Sequence, residues 1–373
     1  MNQHRRDRSG PMGVAVIGCG VISDQYLTTL TAFPDLRVLI CADLDEERAR
    51  AQAERYGVPA SGGVAEALGH PDVELVVNLT VPAAHAEVAR AAVAAGRHVW
   101  NEKPLTGDTD SARELLEAAA ATGVRVGGAP DTFLGAGVQT SLRLIRQDAI
   151  GAPLSALSLM QTAGPESWHP SPEFLFRAGG GPLFDMGPYY LTALVNVFGP
   201  VHRVSAVATR SRERRVIGSG PRAGTDFEVT VPTHVSALLE FGGSRSATAV
   251  FSFESPQLRL GFVEITGMDA TLVMPDPNHF DGATRIEDGG PSRQEKAAGA
   301  VAGRGIGVVD MARSIRAGVP HRASGELALH VLDVMEAIST AADASQPVVV
   351  ESRCQAPEPL PEDWDPYAGT LIP

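Results

Sequence analysis

The chain has 373 residues, enough for two domains that each bury a core, with 44% hydrophobic residues and a net charge of −13. That balance describes an ordinary globular protein and excludes nucleic acid or an anionic membrane as the main partner. No run is long and apolar enough to span a bilayer, and three cysteines (Cys19, Cys41, Cys354) carry neither metal-ligand spacing nor a disulfide framework. A cytoplasmic protein with reduced thiols and no metal is expected.

Arg5-Arg6-Asp7-Arg8 reads as a disordered tail rather than an export signal, because glycines interrupt the apolar run that follows. That run, Gly13-Val14-Ala15-Val16-Ile17, is a buried strand that enters Gly18-Cys19-Gly20-Val21-Ile22-Ser23 and then a helical pattern. Gly18 permits the turn, Gly20 lets backbone approach a pyrophosphate, and the helix N-terminus attracts phosphate. Ser23 takes the third small position of the dinucleotide fingerprint, where glycine is usual. A second strand, Arg37 to Ala42, ends on Asp43, which is 43 − 18 = 25 residues beyond Gly18, near the expected spacing of about 20. A carboxylate there accepts ribose hydroxyls and repels a 2′-phosphate, favouring NAD over NADP; the blander reading is a cap for the next helix.

That helix runs from Glu46 to Tyr56, between the N-cap Asp45 and the stop Gly57, and a short helix follows near Val64–Leu68. Then come the strand Leu75–Leu79 ending in Thr80-Val81-Pro82, a helix from Ala83 to Ala95, and the strand His98–Trp100 leading into Asn101-Glu102-Lys103-Pro104. The helix Ser111–Ala121 and the strand Val124–Val126 complete an alternation that predicts a parallel sheet with crossover helices. Gly18, Asp43, Thr80 and Lys103 all fall at C-terminal strand tips, where such sheets bind ligands. Lys103, held before a proline, can bond a substrate hydroxyl and stabilise the alkoxide that forms as hydride leaves; alternatively it is a surface lysine in a turn.

Beyond residue 130 the pattern changes to a helix over 138–147, a strand over 156–160, a Pro/Gly/aromatic loop over 165–182 and a helix over 183–197. Strands over 201–209, 234–241, 247–253, 260–266 and 270–274 follow with few helices, so a mostly antiparallel sheet is expected. Residues 210–230 and 287–305 read as mobile loops, and the tail over 357–373 as a surface wrap. Leu327, Val331, Leu332, Met335 and Ile338 form the apolar face of a late helix. In Gly179-Gly180-Gly181-Pro182-Leu183-Phe184-Asp185-Met186-Gly187-Pro188-Tyr189, Asp185 and Tyr189 share a face if the segment is helical. Trp168 can stack on a sugar ring or simply pack its loop, and His169 is an alternative base.

Gly18-Cys19-Gly20 with Ser23, Thr80-Val81-Pro82 with His85, Glu102-Lys103-Pro104, and Gly180 through Asp185 to Tyr189 together resemble the family of glucose–fructose oxidoreductases, inositol dehydrogenases and rhizopine-catabolism proteins (Gfo/Idh/MocA). The resemblance covers most of the chain. It implies a Rossmann domain over 1–130 and an α/β domain over 131–373 whose open sheet mediates assembly, as a homodimer or homotetramer. It implies bound NAD(P), held by Gly18, Gly20, Val21, Ile22, Ser23, Asp43, Thr80, Pro82, His85, Glu102 and Lys103. It also implies a catalytic set of Lys103, Asp185 and a proton-transferring residue four positions later; Trp168 and His169 are placed beside the substrate by their own loop, not by the resemblance. That last position is commonly histidine in inositol dehydrogenases and is Tyr189 here; a phenol ionises near about pH 10, so a base of this kind needs a cation beside it. Ala83 stands where the family has asparagine, and Pro130-Asp131-Thr132-Phe133 replaces its Arg-Phe pattern. The implied activity is hydride transfer between NAD(P) and a secondary alcohol of a sugar, sugar derivative or inositol. The alternatives are NAD-dependent glycoside cleavage through transient oxidation, and a non-catalytic dinucleotide-binding regulator.

Overall fold

A computed structural model describes residues 9–371, so the Arg5–Arg8 cluster lies outside the described residues. Its first elements alternate in type. They are β1 (Met12–Ile17), α1 (Val21–Leu30), β2 (Leu36–Ala42), α2 (Glu46–Tyr56), β3 (Ala60–Gly62), α3 (Val64–Gly69), β4 (Leu75–Asn78), α4 (Pro82–Ala94), β5 (His98–Asn101), α5 (Thr109–Thr122) and β6 (Val126–Gly128). The six strands form one parallel sheet in the order β3-β2-β1-β4-β5-β6. Strand order reverses between β1 and β4, the switch point where ligands bind such sheets. β1 is buried along its whole length, as a strand covered by helices on both faces must be. Local chemistry sets the ends: Asp45 accepts the Arg48 N–H at 3.3 Å to cap α2, and Gly57 closes that helix at φ +67°.

The chain continues through α6 (Ala136–Arg146), β7 (Pro153–Gln161), α7 (Gly181–Phe198), β8 (Val201–Thr209), β9 (Arg214–Val216), β10 (Asp226–Glu228), β11 (His234–Phe241), β12 (Arg245–Ser252), β13 (Arg259–Gly267), β14 (Thr271–Met274), β15 (Thr284–Glu287) and β16 (Arg293–Glu295). It closes with α8 (Ile306–Ala317), α9 (Gly325–Ala344) and β17 (Val348–Val349). Nine strands form a second sheet, antiparallel except where β12 runs parallel to β7. Helix α7 covers one face through Tyr190 against Phe251 and Phe198 against Phe241, with ring centroids 5.9 and 5.0 Å apart. On the other face Leu157 and Leu238 alternate with buried neighbours and, like Val207, stay exposed.

The antiparallel sheet and the parallel one match the sequence-based fold class. Two stretches read as mobile loops hold structure instead. Residues 214–216 and 226–228 pair as a two-stranded ribbon, and β16 lies within 287–305. Strands of three residues are too short to show a period.

The compact units are discontinuous. One runs to Leu134 and takes in Gly299–Ala328 and the segment from Pro361; the other comprises Gly135–Ala298 and Leu329–Leu360. This differs from an uninterrupted division at residue 130, because late segments are bound into the first unit by long-range polar contacts. Asp35, fully buried, accepts Arg313 Nε at 2.7 Å, Thr370 N at 2.8 Å and Leu371 N at 2.7 Å, and Tyr367 packs on Phe33 at 5.2 Å.

Candidate functional site

At the tip of β1 the chain turns at Gly18 with φ +97°, where a Cβ would lie 2.6 Å from the backbone of Leu79 and Thr80. Only glycine fits there. Gly20 is the N-cap of α1 and has no side-chain hydrogen bond over it; a Cβ there would meet nothing within 4 Å. The space in front of the helix N-terminus is therefore open to a ligand. Ser23 is fully buried, with its hydroxyl donating to Gly20 O at 2.6 Å and accepting Gln52 Nε2 at 3.2 Å, so it shapes the turn.

Asp43 binds the turn itself. One carboxylate oxygen accepts Cys19 N at 2.7 Å, the other accepts Asp45 N at 2.9 Å, and Arg48 Nη1 lies 3.8 Å away. Cys19 and Cys41 are buried free thiols, and hydrogen bonding to Cys41, with burial, pushes the Cys19 thiol up.

The tips of β4 and β5 are zipped by a polar network that the sequence reading missed. Asn78 Nδ2 donates to Asn101 Oδ1 at 2.9 Å and to His85 O at 3.1 Å, Asn101 Nδ2 donates to Leu105 O at 2.8 Å, and both asparagines are fully buried. Thr80 Oγ1 donates to Asn78 Oδ1 at 2.7 Å. Pro82 starts α4, where a missing N–H costs nothing. His85 is buried, with Nδ1 2.7 Å from Pro104 O and Nε2 3.0 Å from Thr80 O; it therefore clasps the Thr80 turn to the Lys103-Pro104 turn.

Glu102 is buried and holds Lys103 by its backbone: Oε2 accepts Lys103 N at 2.8 Å, while Oε1 accepts Tyr26 OH at 2.9 Å. Trp100 Nε1 in turn donates to Tyr26 OH at 3.3 Å. Lys103 is half-buried beyond this network.

Behind it lies Asp131, whose Oδ2 accepts Gly305 N at 2.8 Å and Gly307 N at 3.1 Å. Burial pushes its carboxyl up to about 6, against Arg304 and the two N–H groups, and Glu102 adds to the rise. The folded carboxyl thus holds its proton longer than the unfolded one, so it contributes most below about pH 4, and that contribution is lost as pH rises to about 6. Asp131→Asn, measured by denaturant unfolding from pH 4 to 7, gains relative to the parent by about 2–3 kcal/mol across that window. A difference that stays flat with pH contradicts the assignment.

A dinucleotide can be tested against these tips. It needs an open helix N-terminus, a turn without a Cβ, a carboxylate beside the ribose and apolar side chains that tolerate an aromatic ring. Gly20 and Asp43 supply the polar parts, and Val21, Leu44 and Val81, exposed by 90, 97 and 67%, stand at the tips of β1, β2 and β4. The residues fit the group.

In the other unit, α7 is helical from Gly181 despite Pro188, so Asp185 and Tyr189 lie one turn apart on one face. Tyr189 is buried and Asp185 half-buried. Tyr190 is a different group: burial pushes its phenol up, and its oxygen accepts Gly261 N at 2.7 Å. Trp168 is 67% exposed and lies edge-on to His169 at 5.5 Å, which in turn meets Phe174 at 5.5 Å. His169 Nδ1 accepts Ser171 N at 3.0 Å, so the lone pair of the neutral ring is already engaged. Among the described residues no group of three or more acidic, His or Cys side chains could hold a metal, and no helix is long and apolar enough to cross a membrane.

Residues 12–128 match the family described as "Oxidoreductase family, NAD-binding Rossmann fold", and residues 138–273 match "GFO/IDH/MocA C-terminal domain". The chain is 31% identical over 300 residues to a dTDP-3,4-didehydro-2,6-dideoxy-alpha-D-glucose 3-reductase of Streptomyces antibioticus, covering 76% of this chain and 87% of that protein. It is 28% identical over 228 residues to D-xylose 1-dehydrogenase (NADP(+)) 2 of Haloferax volcanii, covering 60% of this chain and 64% of the other. Among solved structures, a levoglucosan dehydrogenase in complex with NADH and L-sorbose superposes with a TM-score of 0.80 at 20% identity, over 91% of this chain and 99% of that one. With both halves matched and the glycine turn, Asp43 and Glu102-Lys103-Pro104 in place, the chain belongs to the Gfo/Idh/MocA family of NAD(P)-dependent oxidoreductases.

Proposed function

We propose that the protein is an NAD-dependent dehydrogenase of a polyhydroxylated ring: a sugar, a sugar derivative or an inositol. The observation that carries this reading is Lys103, its backbone held by Glu102 at the tip of β5, on the same edge of the sheet as the open glycine turn and separated from it by β4. When bound, NAD supplies the carbon that exchanges hydride with the ring. The Lys103 ammonium binds the oxygen of the reacting secondary alcohol and stabilises the charge it gains as its proton leaves. Tyr189, acting as the phenolate, takes that proton and becomes the neutral phenol, and Asp185, one turn away, orients the substrate hydroxyls. The occupied Nδ1 of His169 favours Tyr189 as base and leaves His169, with Trp168, as substrate contacts. The relatives' names support the class: one reduces a dTDP-linked keto sugar and one oxidises xylose.

The test is a screen of sugars and cyclitols, free and nucleotide-linked, with NAD and NADP, following the absorbance of reduced nicotinamide. Turnover of a ring substrate supports the reading. Cofactor binding without turnover of any member favours a regulator, and glycoside cleavage without net NADH release favours the elimination chemistry.

Asp43 supports NAD over NADP by repulsion of a 2′-phosphate, since like charges about 4 Å apart cost about 1–4 kcal/mol near a surface. Asp43→Asn keeps an acceptor for Cys19 N and removes that charge, while Arg48 keeps its pairing with Asp45. The NADP-to-NAD ratio of kcat/KM rises by about tenfold or more; an unchanged ratio removes Asp43 from cofactor selection. We also propose assembly into a homodimer or homotetramer through the open face bearing Leu157, Val207 and Leu238; a monomer by light scattering overturns it.

A further inference from the structure

Two segments of the second unit carry candidate substrate contacts without belonging to its sheet. The turn around Pro165–Ser167 leads into Trp168 and His169, and the turn Glu173–Phe176 leads to Gly180, Gly181 and the helix bearing Asp185. Both are single 3₁₀ turns outside the sheet, so contacts from neighbouring segments must hold them.

Beside backbone bonds from Gly218 N to Glu166 O at 2.7 Å and from Thr230 N to Phe176 O at 2.9 Å, a buried guanidinium joins them. Arg215 lies on the β9 ribbon with its side chain 1% exposed. Nη1 donates to Ala163 O at 3.0 Å and to the Glu166 carboxylate, while Nη2 donates to Phe253 O at 2.8 Å and pairs with Glu254 at 2.9 Å. Its flat face lies 5.2 Å from the centre of the Phe176 ring, which packs on Phe227 and Phe253 at 5.2 and 5.7 Å. One cation therefore touches the turn before Trp168, the turn before α7, and the end of β12. Trp168 N and His169 N both donate to Pro165 O, at 3.2 and 2.8 Å, so the indole and imidazole follow wherever that turn is held. Gly164, at φ +112°, closes over the pair; a Cβ would stand 2.5 Å from Nη1 and 2.2 Å from Glu166 Oε2.

Buried ion pairs contribute little net stability, because desolvation offsets attraction; their best-supported use is to specify one arrangement. This cluster fits that use. Arg215 Nε and Glu166 Oε2 are buried with no hydrogen-bond partner among the described residues, so the group is not arranged for greatest stability. Planar Arg, with fixed donor directions, is suited to such a joint where Lys is not.

We propose that Arg215 is a positioning residue for substrate recognition: it fixes the Trp168–His169 turn and the entry to α7, and so sets which ring the loop admits. It rests on the reading that Trp168 and His169 touch the substrate. Arg215 itself touches none.

The experiment compares full-length Arg215→Lys, Arg215→Met and Glu166→Gln with the parent, using amide exchange over residues 164–169, NAD titration, and kinetics on D-xylose, D-glucose and myo-inositol. In Arg215→Met, exchange at Trp168 and His169 quickens by about tenfold or more, with NAD affinity within about twofold. KM for whichever ring is turned over rises about tenfold while kcat stays within about threefold, and Arg215→Lys falls between. Unchanged exchange over 164–169 overturns the proposal, as does a loss confined to kcat. If Arg215→Met does not fold, Glu166→Gln decides on the same readouts. Trp168→Ala separates the two readings: if it leaves every KM unchanged, the loop is no substrate contact and the placing of Trp168 beside the substrate fails, while turnover in the ring screen still stands on Lys103. Faster exchange in the Arg215 variants alone then overturns the specificity role.

Discussion

Lys103→Ala lowers kcat about a hundred- to a thousandfold, the usual loss when one donor to a developing oxyanion is removed. NAD affinity stays within about twofold, because the loss falls on the transition state. The separation rests on how the residue is held. Glu102 grips the Lys103 backbone N–H at 2.8 Å, and His85 grips Pro104 O at 2.7 Å, and alanine keeps both bonds. Only the ammonium is lost. Steady-state kinetics on the substrate found by the screen, with NAD titration alongside, measures both quantities. A variant that turns over at the parent rate ends the proposed role of Lys103.

The two glycines of the first turn respond in opposite ways. Gly18→Ala places a methyl 2.6 Å from the Leu79–Thr80 backbone at a φ of +97°, so strain and overpacking add. About 3–5 kcal/mol of stability is lost, and the protein melts early whether or not NAD is present. Gly20→Ala meets no atom within 4 Å and sits at φ −78°, a conformation open to any residue. Stability changes by less than about 1 kcal/mol, yet NAD affinity falls about tenfold or more, because the methyl occupies space needed by the diphosphate. Denaturant unfolding and NAD titration on the two variants read the contrast. Gly20→Ala binding NAD like the parent means that the diphosphate lies elsewhere.

Much of the cofactor unit is legible in the sequence because its signals are local. A strand, a glycine turn and a helix start occupy adjacent residues, and Asp43 and Lys103 fall at ends of runs that periodicity alone marks. What was missed acts at long range. Tyr26 reaches Glu102 across 76 residues, Asp131 reaches Gly305 across 174, and Arg215 reaches Glu166 across 49. Nothing in the segment around any of these residues names its partner. Arg215 was further hidden by its surroundings, since a polar, glycine-rich stretch reads as solvated until a buried ion pair is seen inside it. Residue type makes His169 a candidate base, and the structure adds a hydrogen bond from Ser171 N to its Nδ1.

The grip of Asp35 on Thr370 and Leu371 bears on how the protein is made. Domains generally fold from the N-terminus as they emerge during synthesis. Here the parallel sheet emerges first, but Thr370, which helps to seal its buried Asp35, follows 335 residues later. The nascent first unit must wait, with an uncompensated carboxylate at the foot of β1, while the whole second unit is translated. A chaperone acting on this chain would meet it in that interval, and a C-terminal fusion partner that restrains Thr370 would harm the unit at the opposite end of the sequence.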